Sequence, residues 1–291
     1  MSAPSFAEIA KSLPSRDFWT GLTKDLHIGD ADYIKAQPVF NIEPQAIERL
    51  KELVKREGYF QADPPQWNLP LEGMIALTHK LTGLGIPTPF VFIYDEFWMV
   101  FTKIGKIIEG LLGKGFQRLP DFWAWHIEPE KEQSGWSPHR DKGVRALFPD
   151  RSPKSLTVWV PLTASTPLNG CIYLVPADRD PTYATPEEKQ FRFALSDIRA
   201  LPAAPGSILC WSQAVLHWGS HACSREKRPR ISLAYEFQSG EVPPFNKPLM
   251  NPYTVPDFTS RLKLVAKQIL QYQHMYKLQD DIKTVAEKLI R

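Results

Sequence analysis

The sequence predicts a mainly β core with flanking helices, and three observations carry that expectation. From Pro120 to about Gly240, short runs of β-branched and aromatic residues alternate with Gly- and Pro-bearing turns, the pattern of an antiparallel sandwich or jelly roll. Before that stretch apolar residues recur at helical spacing, and after Pro256 they do so again. The 291 residues suffice for one sizeable core. The expected organisation is a single domain over 1–291, helical to about 115, with the β core over about 116–240 and C-terminal helices over about 257–290.

The elements follow in order. Residues 1–40 read as short helical pieces broken by Pro4, Pro14 and Pro38. Residues 43–57 form a helix with Ile47, Leu50, Leu53 and Val54 on one stripe, stopped by Gly58, after which the chain turns extended to Ala62. Pro70 to about Leu84 is a second long helix. The apolar run Phe90–Asp95 reads as a strand, and Phe97, Phe101, Ile104, Ile108 and Leu111 as one helix ending at Gly113. Strands are expected at 122–127, with Trp123 and Trp125 on one face, and at 155–161, 171–175, 206–211 and 230–237. A turn is expected at 168–170 and a long loop from Pro176 to about Phe193. A helix over 257–276 and a shorter one carrying Leu278, Ile282, Val285 and Leu289 close the chain. Their narrow stripes suit packing across a sheet or a dimer contact.

Composition narrows the function. Net charge is +3 and no Lys/Arg block stands out, so no nucleic-acid partner is expected. No run approaches the roughly 18 apolar residues of a membrane span, and the first residues lack the basic and apolar regions of a secretory leader. Cys171, Cys210 and Cys223 show no paired spacing, which argues against a disulfide framework and for a cytoplasmic setting.

The chemistry concentrates in two segments. His139 and Asp141 stand two residues apart, so in extended backbone they project to one side and Arg140 to the other. His217 follows much later, at the end of an apolar run. Two histidines and one carboxylate with open positions remaining describe a non-haem Fe(II) oxygenase site. A 2-oxo acid would fill two of those positions and O₂ a third. Its distal carboxylate would need a cation, and Arg228 is the candidate with Arg230 as its rival. The HxD spacing alone is common. His126 and Glu128 form a second pair of this kind and could hold the metal instead, or His126 could touch a metal ligand from outside or contact the co-substrate. Trp123, Trp125, Trp136, Trp159, Trp211 and Trp218 fall near these segments, as pocket walls or as ordinary packing. Other classes remain open: a zinc hydrolase using the same three residues, or a catalytically silent metal-binding protein. No GxSxG is present for acyl transfer.

Taken together, the blocks 137–141, 156–163, 169–176, 205–207, 217–220 and 228–233 resemble the phytanoyl-CoA dioxygenase-like family of Fe(II)- and 2-oxoglutarate-dependent oxygenases. The resemblance spans roughly 43–237. It implies a double-stranded β-helix (cupin-like jelly roll), with His139, Asp141 and His217 as iron ligands and Arg228 as the oxoglutarate partner. It also implies hydroxylation of a small organic or acyl substrate with release of succinate and CO₂. At 176–181 the chain departs from the family's usual Pro-Gly-Ser-His turn, so substrate identity does not carry over.

Overall fold

The computed structural model describes residues 5–276 and 278–291; Pro4 lies outside them. The first helices are α1 (Phe6–Ser12), α2 (Arg16–Leu22), α3 (Ala31–Lys35), α4 (Pro44–Glu57) and α5 (Leu71–Gly83). At the start of α1 the Ser5 hydroxyl accepts from the Glu8 amide while the Glu8 carboxylate accepts from the Ser5 amide, satisfying two amides left free at a helix start. α4 ends at Gly58 with φ 81°, a left-handed position where a Cβ would also meet Val215 Cγ2 at 2.3 Å.

Two expectations fail here for physical reasons. The run 90–95 is no strand: Thr88–Ile93 is a 3₁₀ helix. Its side chains from Pro89 to Ile93 are all buried, so no periodicity separates strand from helix, and Pro87 and Pro89 withhold amides that a ladder needs. The single long helix is two, α6 (Asp95–Lys103) and α7 (Gly105–Leu112), broken at Ile104. The Tyr253 ring packs at that break, where a Cβ on Gly105 would meet its Cε1 at 2.4 Å. Gly113 closes α7 as expected.

The strands are β1 (Tyr59–Ala62), β2 (Gln117–Ile127), β3 (Ser155–Pro161), β4 (Ile172–Val175), β5 (Arg199–Leu201), β6 (Ile208–Ser212), β7 (Leu216–Gly219) and β8 (Arg230–Gln238). They form two antiparallel sheets, ordered β1-β6-β3-β8-β2 and β5-β4-β7. β5 and β7 are not visible in the sequence pattern. β5 is short and two of its three residues are exposed. β7 lies so soon after β6 that the two read as one apolar run, yet they belong to different sheets. His217 therefore sits inside β7 rather than at the end of the preceding strand.

The five-stranded sheet is covered on both faces. Phe122, Leu156, Val158, Cys210, Leu233 and Tyr235 pack with the helices in one core cluster. Their neighbours Trp123, Trp159, Leu209, Trp211 and Ala234 pack with Ile172, Leu174 and Leu201 of the smaller sheet in a second. Alternation in β3 and β8 thus sends one residue set to the helices and the other between the sheets.

The last helices are α8 (Phe258–Gln271) and α9 (Asp280–Leu289); α8 stops short of the expected 276. Asp257 caps α8 by accepting from the Ser260 amide. Inside α8, buried Arg261 donates to Asp95 Oδ1 at 2.5 Å and to the Ile93 carbonyl at 2.6 Å. Asp95 also accepts from the Gly29 and Asp30 amides, so this buried pair ties three distant segments with its charges compensated. Leu262, Val265, Ile269, Ile282 and Ala286 are buried within the chain, which accounts for both stripes by packing. Among the described residues no helix is long and apolar enough to cross a membrane.

Candidate metal centre

The segment 134–139 runs antiparallel beside β7. Ser134 bridges to His221, and His139 and His217 exchange both backbone hydrogen bonds at 3.0 Å. The two histidines are therefore paired rung to rung. The segments approach so closely that a Cβ on Gly219 would lie 2.9 Å from the Gly135 Cα, so both positions need glycine. The turn is fixed at its far end as well: the Lys142 and Gly143 amides donate to the Gln213 carbonyl at 2.9 and 3.1 Å. Arg140 faces the other way, as its position between the pair requires. It donates to Asp180 Oδ2 at 2.6 Å, to Thr182 Oγ1 at 3.0 Å and to the Ala214 carbonyl at 2.8 Å. The divergent stretch 176–181 thus anchors the turn through Asp180.

His139 Nε2 lies 3.3 Å and His217 Nε2 3.6 Å from Asp141 Oδ1, and one ligand atom from each residue falls within 4.8 Å of the others. Each imidazole Nδ1 faces a carbonyl, that of Ser137 at 2.7 Å and that of Val215 at 3.1 Å. A carbonyl only accepts, so both protons sit on Nδ1 and both Nε2 lone pairs point at the carboxylate. The other Asp141 oxygen accepts from Thr157 Oγ1 at 2.8 Å and Trp211 Nε1 at 3.3 Å, and Gln213 donates to the same Thr157 hydroxyl. Burial raises the Asp141 pKa, but the facing histidines outweigh it and hold the carboxyl well below its ordinary range. Burial lowers that of His217 to about 4. His139 is pulled down by burial but raised on balance by Asp141. Two imidazole lone pairs and a deprotonated carboxylate at these separations suit a metal ion at about 2.0–2.2 Å from each.

The six tryptophans singled out above all line the cavity at this triad. Three of them, Trp123, Trp159 and Trp211, are also core, so wall and packing are one set. The cavity holds about 180 Å³, several times the ~30 Å³ share of one water.

The two arginines part company. Arg228 precedes β8, its side chain 77% exposed and paired with Glu226 at 3.2 Å, so it does not reach the cavity. Arg230 is 1% exposed and lines the cavity, with its guanidinium 5.6 Å above Trp159. It donates to Ser232, and its buried Nε has no partner among the described residues. Burial lowers its pKa only to about 10, leaving it charged at neutral pH.

The rival pair stays apart from the triad. His126 lies on the opposite face of β2 from Trp123 and Trp125, 2.9 Å from His79 Nδ1 and 3.6 Å from Glu128, which is itself engaged by Lys131. Among the described residues, the one metal-sized cluster of three such ligands is His139, Asp141 and His217.

Sequence reasoning missed Thr157, Lys142, Glu236 and Tyr272 on the cavity wall. Glu236 is buried and ion-paired with Lys142; burial raises its pKa to about 7. A usable signal existed: Arg230, Ser232 and Glu236 occupy alternate places in a strand otherwise apolar, and polar groups that face a protein interior need a reason.

Residues 41–230 match the family model described as phytanoyl-CoA dioxygenase. Among solved structures, the chain is similar to AviO1 from Streptomyces viridochromogenes, with 14% identity, a TM-score of 0.51, and 71% of this chain covering 99% of that one. It is also similar to the non-haem monooxygenase ThoJ, with 13% identity, a TM-score of 0.50, and 82% covering 99%. The epimerase SnoN, solved with Fe³⁺, alpha ketoglutarate and nogalamycin RO, aligns at 16% identity and a TM-score of 0.48, with 74% covering 96%. At such identities the likeness concerns the fold.

Proposed function

Because the chain belongs to the phytanoyl-CoA dioxygenase family, we propose that it is a non-haem Fe(II)- and 2-oxoglutarate-dependent dioxygenase, hydroxylating a small organic or acyl substrate on a single double-stranded β-helix domain. The observation that carries this is the aim of two Nε2 lone pairs and one carboxylate oxygen at a common point, with no other partner competing for them. When bound, Fe(II) with 2-oxoglutarate supplies the O₂-dependent C–H oxidation that releases succinate and CO₂.

In this reading His139, Asp141 and His217 hold the metal, while Thr157 and Trp211 keep Asp141 turned toward it. Arg230, not Arg228, takes the distal carboxylate of 2-oxoglutarate, because a buried cation lacking an acidic partner is what such an anion needs. The tryptophans lining the cavity give Arg230 apolar neighbours, which strengthens its contact with an anion there. A cytoplasmic setting agrees with three free cysteines.

The test is succinate formation from 2-oxoglutarate by the Fe(II)-loaded protein, without substrate and then with a substrate panel. Stimulated, coupled turnover is the expected result. No turnover of any kind, uncoupled included, would leave a silent binding protein. Turnover with Zn(II) in the absence of O₂ and oxoglutarate would instead make it a hydrolase.

A further inference from the structure

We infer that residues 272–276, which lie beyond the family-matched region, supply the substrate-selecting wall of the metal cavity, where Tyr272 and His274 join Trp136 to clasp a neutral, ring-bearing substrate. The inference rests on the oxygenase reading above.

The geometry comes first. Tyr272 caps the C-terminus of α8 and lines the same cavity as the triad. Its ring centroid lies 5.5 Å from that of Trp123 and 6.1 Å from that of Trp136, at 81° to the latter. His274 lies 5.6 Å from Trp136 on the solvent side. Trp136 in turn stands 5.6 Å from ligand His139 and edge-on to Trp125 at 6.3 Å. These rings form an aromatic corner beside the metal ligands. The corner is rigid, because the Tyr272 hydroxyl donates to Asp121 at 3.1 Å, and Asp121 is also held by the Asn246 and Gln271 amides. Trp136, Trp218 and Gly219 line both this cavity and a neighbouring surface depression bounded by His274 and Met275. The segment therefore borders the cavity's opening.

Charge then selects the ligand. With the centre loaded, Asp141 belongs to the metal, Arg230 to the oxoglutarate carboxylate and Glu236 to Lys142. A divalent ion, oxoglutarate dianion, Asp141 and Arg230 sum to zero, and the Lys142–Glu236 pair adds nothing. No lining charge is left for an ionic substrate, and desolvating one without a partner is costly. What remains exposed to substrate is indole and phenol surface, whose faces and edges match a flat apolar ring.

The experiment loads the full-length protein with Co(II) and 2-oxoglutarate, then titrates 2-naphthol, 2-naphthoate, 1-naphthylmethylammonium and 1-octanol by calorimetry. 2-Naphthol is expected to bind about tenfold or more tightly than its charged analogues and than octanol. Tyr272→Leu should weaken 2-naphthol about tenfold and Tyr272→Phe by no more than about threefold, separating loss of the ring from loss of its hydroxyl anchor. His274→Ala, at an exposed position that cannot threaten folding, should cost about threefold. Equal binding of all four probes, or naphthol affinity indifferent to Tyr272→Leu and His274→Ala, overturns the inference while Co(II) binding stands. Failure of the wild type to bind Co(II) overturns the oxygenase reading and this inference with it.

Discussion

Two pairs of the form His-x-carboxylate stand close together in this chain, and they meet opposite fates. His126 and Glu128 lie at the end of β2, where the buried imidazole meets His79 and the acid meets Lys131. His139 and Asp141 lie in a turn whose backbone is bridged to His217, so both side chains converge on a third residue from another strand. Spacing is the same in both; what differs is the residue that backbone pairing sets opposite, Ile231 for His126 and His217 for His139. The candidate metal centre is assembled by pairing two segments, and the local motif only supplies side chains able to use it.

The comparison is sharpest in metal binding. His139→Ala is expected to abolish Co(II) binding by calorimetry and oxoglutarate turnover, a greater loss than the ~10–100-fold that removing an outer partner costs. His126→Ala is expected to leave both at the wild-type level. Loss of Co(II) binding in the His126 variant would move the metal to the earlier pair.

A second contrast of the same kind separates Arg228 from Arg230. Arg230→Gln is expected to raise the KM for 2-oxoglutarate about 10–100-fold, the weight of a charge-assisted buried contact. Arg228→Gln should leave it unchanged, since that side chain is solvated and paired with Glu226. The opposite ranking in steady-state kinetics would restore Arg228 as the carboxylate partner.

Much of this was legible before any coordinates. Strand 155–161 reads off the sequence because its β-branched and aromatic residues are bounded by turns, and α4 because one apolar stripe recurs at helical spacing and glycine closes it. The ligand triad was legible as residue types in order. Which arginine reaches the cavity was not, because that depends on where β8 begins, and strand ends are set by pairing partners. The run 90–95 reads as a strand because full burial erases periodicity. Tyr272 falls inside the helix the sequence predicts over 257–276, and its place at the cavity follows from that helix ending early.

A subtler difference lies in how Asp141 is held, since Glu128 has no counterpart to its hydroxyl and indole donors. Thr157→Val removes the hydroxyl at 2.8 Å with little change of shape. It is expected to weaken Co(II) binding roughly tenfold, at the lower end for a group that orients a ligand. Thermal unfolding of the metal-free protein serves as the control. A large drop in Tm there, with affinity preserved, would make Thr157 a packing residue only.

The last contrast is one of pH, and it separates the two pairs by sign. At His126, burial and then neighbouring His79 push the imidazole pKa below 6.5, so it stays neutral near physiological pH. At His139 burial also pushes down, but Asp141 outweighs it and the pKa lies above 6.5. The proton on His139 stabilises the metal-free fold below pH 6.5, and that contribution fades as pH rises through the raised value. A metal needs the same lone pair, so it must displace this proton. Co(II) affinity should therefore fall about tenfold per unit below the His139 pKa and level off above it. His217, held near 4, adds no competing proton in that window. Calorimetry in buffers of different ionisation enthalpy counts the protons: close to one released at pH 6 and fewer at pH 8. Two released at pH 6 would mean that His217 is also charged, and that the desolvation around it is weaker than its burial implies.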